Sequence, residues 1–241
     1  MKTIKSIALA FVALFCGVAT SAQSADEIIS NYIQAIGGKD ILSKITSVYT
    51  ESTMDVMGMQ GTIKTTTLNG KGMKQEMDVM GNLITNCYTD KGGWSINPMA
   101  GSSSAEPMSD SQYNSGKDEI YVGGQFINYA EKGYKVKLLG NDTVADVNAF
   151  KIKITLPDST SSVYYFDPST FYLLRADQQA DMQGQIVDNV LTFSDYKQVE
   201  GYTLPHKIDM NMAGGQFSLV MNVTRVELNK PVNDSIFIKP Q

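Results

Sequence analysis

The sequence predicts a mainly β fold: a strongly curved antiparallel sheet or incomplete barrel of about ten or eleven strands, with an N-terminal helix and a helical lid insertion. Three observations predict it. Apolar and polar residues alternate with period two, best in Lys71–Met80, where Met73, Gln75, Met77 and Val79 oppose Lys74, Glu76 and Asp78. Leu204–Met212 repeats the pattern, with Leu204, His206, Ile208, Met210 and Met212 against Lys207, Asp209 and Asn211. Short glycine-containing breaks separate successive strands, so the strands read as sequential hairpins.

The first residues read as an export signal. Lys2 and Lys5 precede the apolar run Ile7–Val18, which is too short to span a bilayer comfortably, and Thr20-Ser21-Ala22 offers a small-residue cleavage site before Gln23. Residues 1–22 are therefore read as a signal peptide and 23–241 as a single domain. Cys16 follows the bulky Phe15, which argues against lipidation there. Cleavage leaves 18 basic against 25 acidic residues, a net charge of about -7. That charge opposes nucleic-acid binding and docking to anionic lipid. Only Cys87 then remains, so no internal disulfide can form and the core must hold by burial.

The mature chain opens with a helix. Ser24 and Glu27 have capping-box spacing, Ile28, Ile29, Tyr32, Ile33 and Ile36 form one stripe, and Gly37-Gly38 ends it. A short helical turn follows at about Lys39–Ile45. From Ser47 the pattern turns to strands, with Lys71–Met80 and Leu83–Thr89 joined through Gly81-Asn82. Residues 97–131 interrupt the rhythm: a Pro/Gly/Ser loop at Asn97–Gly116, then a weak helix at Lys117–Glu131 weakened by Gly123-Gly124. An insertion of this length between strands reads as a lid or as an idle excursion. Strands resume at Tyr134 and continue to Leu228.

Methionine recurs where a tighter core carries valine or leucine. It is flexible and polarizable, so the face holding Val48, Met54, Met73, Met77, Val79, Ile208, Met210 and Met212 reads as the lining of an adaptable apolar cavity, or as an ordinary core. Nothing points to an enzyme. His206, the single histidine, follows Pro205 on an apolar-parity face, and Cys87 has no histidine near it in sequence. One histidine and one cysteine make no zinc site without carboxylates, and phosphate loops and nucleophile elbows are absent from the sequence. No cofactor or metal is expected.

Five segments resemble the periplasmic lipoprotein carriers and receptors of the LolA/LolB-like superfamily. They are Ile28–Gly38, Tyr129–Gly140, Val163–Leu174, Phe193–Ile208, and the tail Asn229-Lys230-Pro231 with Phe237 and Pro240. The resemblance implies an incomplete antiparallel barrel with a helical lid over an apolar cavity that takes acyl chains. It implies a soluble periplasmic location and acylated lipoproteins or other lipid-like ligands as partners, with an inner-membrane release complex or outer-membrane receptor beside them. The family's carriers latch the lid with an arginine in an early strand. This chain has only Arg175 and Arg225, both late, and these are the latch candidates; simple alternation puts Arg175 with Phe171 and Leu173, and Arg225 with Leu219, Met221 and Val223. In the receptor branch an apolar hairpin tip touches the membrane, which makes Met80 and Leu83 the contact candidates. Two functions follow: a periplasmic carrier or sorting protein between inner and outer membranes, or a secreted scaffold of the same fold with a filled core.

Overall fold

In a computed structural model, residues 23–182 and 185–240 are described; the signal segment and Cys16 lie outside them. Ser24 accepts a hydrogen bond from Glu27 N (3.1 Å) and starts helix α1 (Ala25–Ala35), whose Ile28, Ile29 and Ile33 are buried along with Ile36 just beyond it. A single turn, α2 (Lys39–Leu42), leads into the strands.

The strands are β1 (Ser47–Val56), β2 (Met59–Leu68), β3 (Gly72–Val79), β4 (Asn82–Thr89), β5 (Gly92–Asn97) and β6 (Ser102–Pro107), then β7 (Lys135–Val144), β8 (Val147–Thr155) and β9 (Ser161–Phe166), and finally β10 (Leu173–Met182), β11 (Gln185–Val199), β12 (Tyr202–Met212) and β13 (Phe217–Leu228). They form one antiparallel sheet of 13 strands in the order β6-β5-β4-β3-β2-β1-β13-β12-β11-β10-β9-β8-β7. Each half is a simple meander, and β1 pairs with β13 to join the halves. The sheet does not close: β6 and β7 are its two edges.

The connection between those edges therefore has to pass from one end of the sheet to the other. It carries α3 (Asp110–Gly116), capped by Ser109 and Gln112, and two 3-10 turns, Lys117–Ile120 and Gly124–Phe126. It lies over the inner face: the Tyr113 ring stacks on Tyr88 of β4 at 6.5 Å, and α3 also touches β10. The insertion thus differs in detail from the sequence reading. Ser102–Pro107, expected as loop, is an edge strand, and the helix stands at Asp110–Gly116 while Lys117–Glu131 holds only 3-10 turns. Gly123 and Gly124, both at positive φ, end regular helix there.

The main core lies on the inner face between α1, the lid and strands β7–β10. Ile28, Ile29 and Ile33 pack there with Phe126 of the lid and Ile152, Ile154, Tyr164 and Phe166 of the sheet. Edge-on aromatic contacts bind the three layers: Tyr32 to Phe126 at 5.0 Å, Tyr32 to Phe166 at 5.4 Å, and Phe126 to Tyr164 at 5.0 Å. On the outer face the C-terminal tail folds back over β3–β5, where Phe237 packs with Cys87 and Trp94.

Candidate functional site

Cross-strand register decides which side chains share a face. Val48 stands opposite Thr67, which stands opposite Met73, which stands opposite Tyr88 beneath α3, so this is the inner face. Further along, Met54 faces Met221, Ile208 and Phe193 in successive strands, and Val56 faces Leu219, Met210 and Leu191. Met77 lies opposite Ile63 and Ile84, and Met212 opposite Phe217. Val79 reaches the same row through Gly61, opposite Met54. All eight residues read from the sequence as a lining, Val48 to Met212, thus occupy one face.

They do not occupy one environment. Val48 packs against the main core. Met54 and Val79 are buried with Ile63 in a second cluster, with Met77, Val56, Leu219 and Met221 against them. No residue of α1 or the lid belongs to that cluster. Met73 is buried, while Ile208, Met210 and Met212 are half-buried. Helix and lid therefore cover one end of the inner face, and the other end is an apolar band that keeps accessible surface.

The rim of that uncovered end is apolar too. Alternate turns of a meander fall at the same end of the sheet, which groups the β1–β2, β3–β4 and β12–β13 turns. Exposed Met57 and Met59 lie at the first, Met80 and Leu83 at the second, and Phe217 at the third. Met80 is 73 % exposed and Leu83 49 %. The β3–β4 turn residues are Met80 and Gly81, both at positive φ as a type I′ turn requires, in place of the expected Gly81-Asn82. A methionine in that conformation is strained, at a cost of about 1–3 kcal/mol.

Neither arginine reaches the lid, which corrects the latch expectation. Arg175 pairs with Asp177 and lies 5.1 Å from the Tyr165 ring on the outer face. Arg225 pairs with Glu51 and Glu227 over Tyr49. The physical reason is the same in both strands: a bulge, at Leu174 in β10 and at Thr224 in β13, adds one residue just before the arginine and inverts the parity. The lid is held by Asn69 and Gly70 of the β2–β3 turn. Asn69 Oδ1 accepts from Val122 N (3.0 Å), Asn69 Nδ2 donates to the Ile45 carbonyl (2.8 Å), and Gly70 N donates to the Ile120 carbonyl (2.8 Å). Asp118 adds a half-buried anchor, accepting from Lys132 Nζ and the Tyr134 hydroxyl, both at 2.8 Å. The Asn69-Gly70 dipeptide was the available sequence signal, legible as a turn but not as a clasp.

Under the lid lies a hollow of about 520 Å³. Asn114 and Glu119 line it from the lid, and Ser162, Tyr164 and Gln178 from the sheet. Its lining side chains are polar types except Leu156, where the sequence predicts grease. The Tyr164 hydroxyl accepts from Gln178 Nε2 (3.0 Å) and from Gln125 Nε2. Glu119, which lines the hollow, keeps exposed surface. Desolvation, then the charge of Asp118, raises its pKa. Cys87 is buried on the other face, and desolvation pushes its thiol up to about 12.

No protein-family model and no curated protein sequence matches this chain. Solved structures do. A DUF1329 family protein from Desulfovibrio piger aligns at a TM-score of 0.61 and 14% identity, over 90% of this chain and 98% of the other. A LolA superfamily protein from Nitrosomonas europaea aligns at 0.60 and 15%, over 90% and 99%. An outer membrane lipoprotein-sorting protein domain from Vibrio parahaemolyticus aligns at 0.58 and 17%, over 88% and 95%. At these identities the likeness is one of architecture, and the chain has the LolA-like fold.

Proposed function

We propose that this chain is a non-enzymatic periplasmic binder of apolar chains, a carrier or sorting protein for acylated lipoproteins. The observation that carries the reading is the continuous apolar band across β3-β2-β1-β13-β12-β11, left uncovered by helix and lid. Each methylene transferred from water to such a surface contributes about 0.8 kcal/mol before ordering costs. Half-buried methionines at positions 77, 210 and 221 let the band adapt to chains of differing shape. The LolA-like neighbours and the export-type N-terminal segment agree with this reading. The high thiol pKa of Cys87 opposes thiolate chemistry.

Uptake of a fluorescent fatty acid tests it. Saturable binding is expected in the wild type, and Met77→Glu should abolish it, because a carboxylate in the band must protonate or draw in water. A wild type that binds no acyl probe leaves the scaffold reading, in which the band is simply core. The rim adds a second expectation. Replacing both Met80 and Leu83 by Glu should weaken binding to neutral liposomes in a flotation assay while leaving the melting temperature nearly unchanged, since both side chains are exposed. Liposome binding that survives the double substitution removes the tip from the membrane contact.

A further inference from the structure

We propose that the hollow under the lid binds a neutral, multiply hydroxylated group of the saccharide class, positioned so that a hydrocarbon chain attached to it runs along the apolar band. The hollow's size falls within the range of about 300–1,000 Å³ typical of small-molecule sites. Its chemistry is selective. No lysine or arginine lines it among the described residues, so an anionic head finds no counter-charge. Two of its three carboxylates already hold partners: Asp118 is paired with Lys132, and Asp158 accepts from Thr160 N and Oγ1 at 3.0 and 2.6 Å. A cationic head therefore meets carboxylates of which two are already partnered. What remains is a lining of hydroxyls and carboxamides, groups that donate and accept at once, as sugar hydroxyls do.

The lining shows unspent capacity. Gln125 and Gln178 give their amide N–H groups to Tyr164, and no described residue donates to their Oε1 atoms. Beside the hollow and outside its lining, Asn189 stands directly opposite Gln178 across β10–β11, with its buried Oδ1 unpartnered among the described residues. The next rung of the same pair, Ala176 opposite Leu191, continues to Met210 and Leu219 of the band. Polar hollow and apolar band are thus adjoining parts of one face. The lipid-head form of this inference rests on the chain-binding reading above; the saccharide site itself does not.

Amphiphiles of equal chain length separate the terms. Calorimetric titration of the full mature chain would use n-octyl β-D-glucoside below its micelle concentration, octanoate, octyltrimethylammonium and chain-free methyl β-D-glucoside. The glucoside amphiphile should bind at least about tenfold more tightly than either charged one. Gln178→Leu on the floor and Asn114→Leu in the roof should each remove about tenfold of its affinity and leave octanoate within about twofold. Saturable binding of methyl glucoside, lost in the same variants, identifies a free saccharide as sufficient ligand; binding of the octyl form alone identifies a lipid head. Equal affinity for glucoside and octanoate, or variants that change neither, overturns the saccharide site while the chain-binding reading stands. Binding of methyl glucoside with no binding of octanoate overturns the chain-binding reading while the saccharide site stands, and no binding of any probe ends both.

Discussion

Phe166→Ala should cost about 3–5 kcal/mol of folding stability, the range for removing a fully buried aromatic side chain. Phe166 has no accessible surface and is the point where helix, lid and sheet meet: its ring contacts Tyr32 of α1 at 5.4 Å and Phe126 of the lid at 5.5 Å. These neighbours are themselves fixed, Tyr32 in a capped helix and Phe126 in a 3-10 turn, so the space cannot collapse cheaply. Urea denaturation measures the loss as a lower midpoint at unchanged slope. The exposed Leu139, changed to alanine, serves as the control and should move stability by less than about 0.5 kcal/mol. A loss under about 1 kcal/mol for Phe166→Ala would mean that the three layers are not packed around this ring.

Phe237→Ala is the second large effect and comes with its own optical reporter. The sole tryptophan, Trp94, is buried beneath the tail, and its Nε1 donates to the Phe237 carbonyl oxygen at 2.9 Å. Phe237 lies flat on Gly72, where any Cβ would come within 2.8 Å of the ring. Glycine at 72 is thus a seat for the tail. Removing the ring should cost about 3–5 kcal/mol and shift Trp94 emission to the red as the tail lifts and water enters. Gly72→Ala should produce the same red shift by lifting the tail from below. Unchanged emission in both variants would show that the tail does not cover this side of the sheet.

Alternation made the strands and the shared face of Met54, Met77, Ile208 and Met210 legible, because a side chain's face follows from parity as long as the backbone is regular. It failed at Arg175 and Arg225 for the same reason, since one extra residue in each strand inverts parity and nothing in the local residue types announces it. The N-terminal helix was legible from its cap and stripe. The lid was legible as an interruption but not in its internal structure, where Gly123, Gly124 and tertiary contacts through Asn69 override weak helical preference. The polar hollow was not legible at all. Its groups come from α3, two 3-10 turns, the β8–β9 turn and strands β9 and β10, and only the passage of the chain from one sheet edge to the other brings them together.

The seam between the two meanders sets a schedule for folding. Within each half, every strand pairs with its sequence neighbour, but β1 finds its second partner only in β13, with Val48 opposite Leu228. Loop-closure entropy makes that pairing the slowest to nucleate. Until the last strand arrives, one flank of β1 presents free N–H and C=O groups along a segment that already carries Met54 and Val56. The nascent or refolding chain is therefore most vulnerable to self-association at its first strand, and a chain cut short before Phe217 leaves that flank open for its whole lifetime.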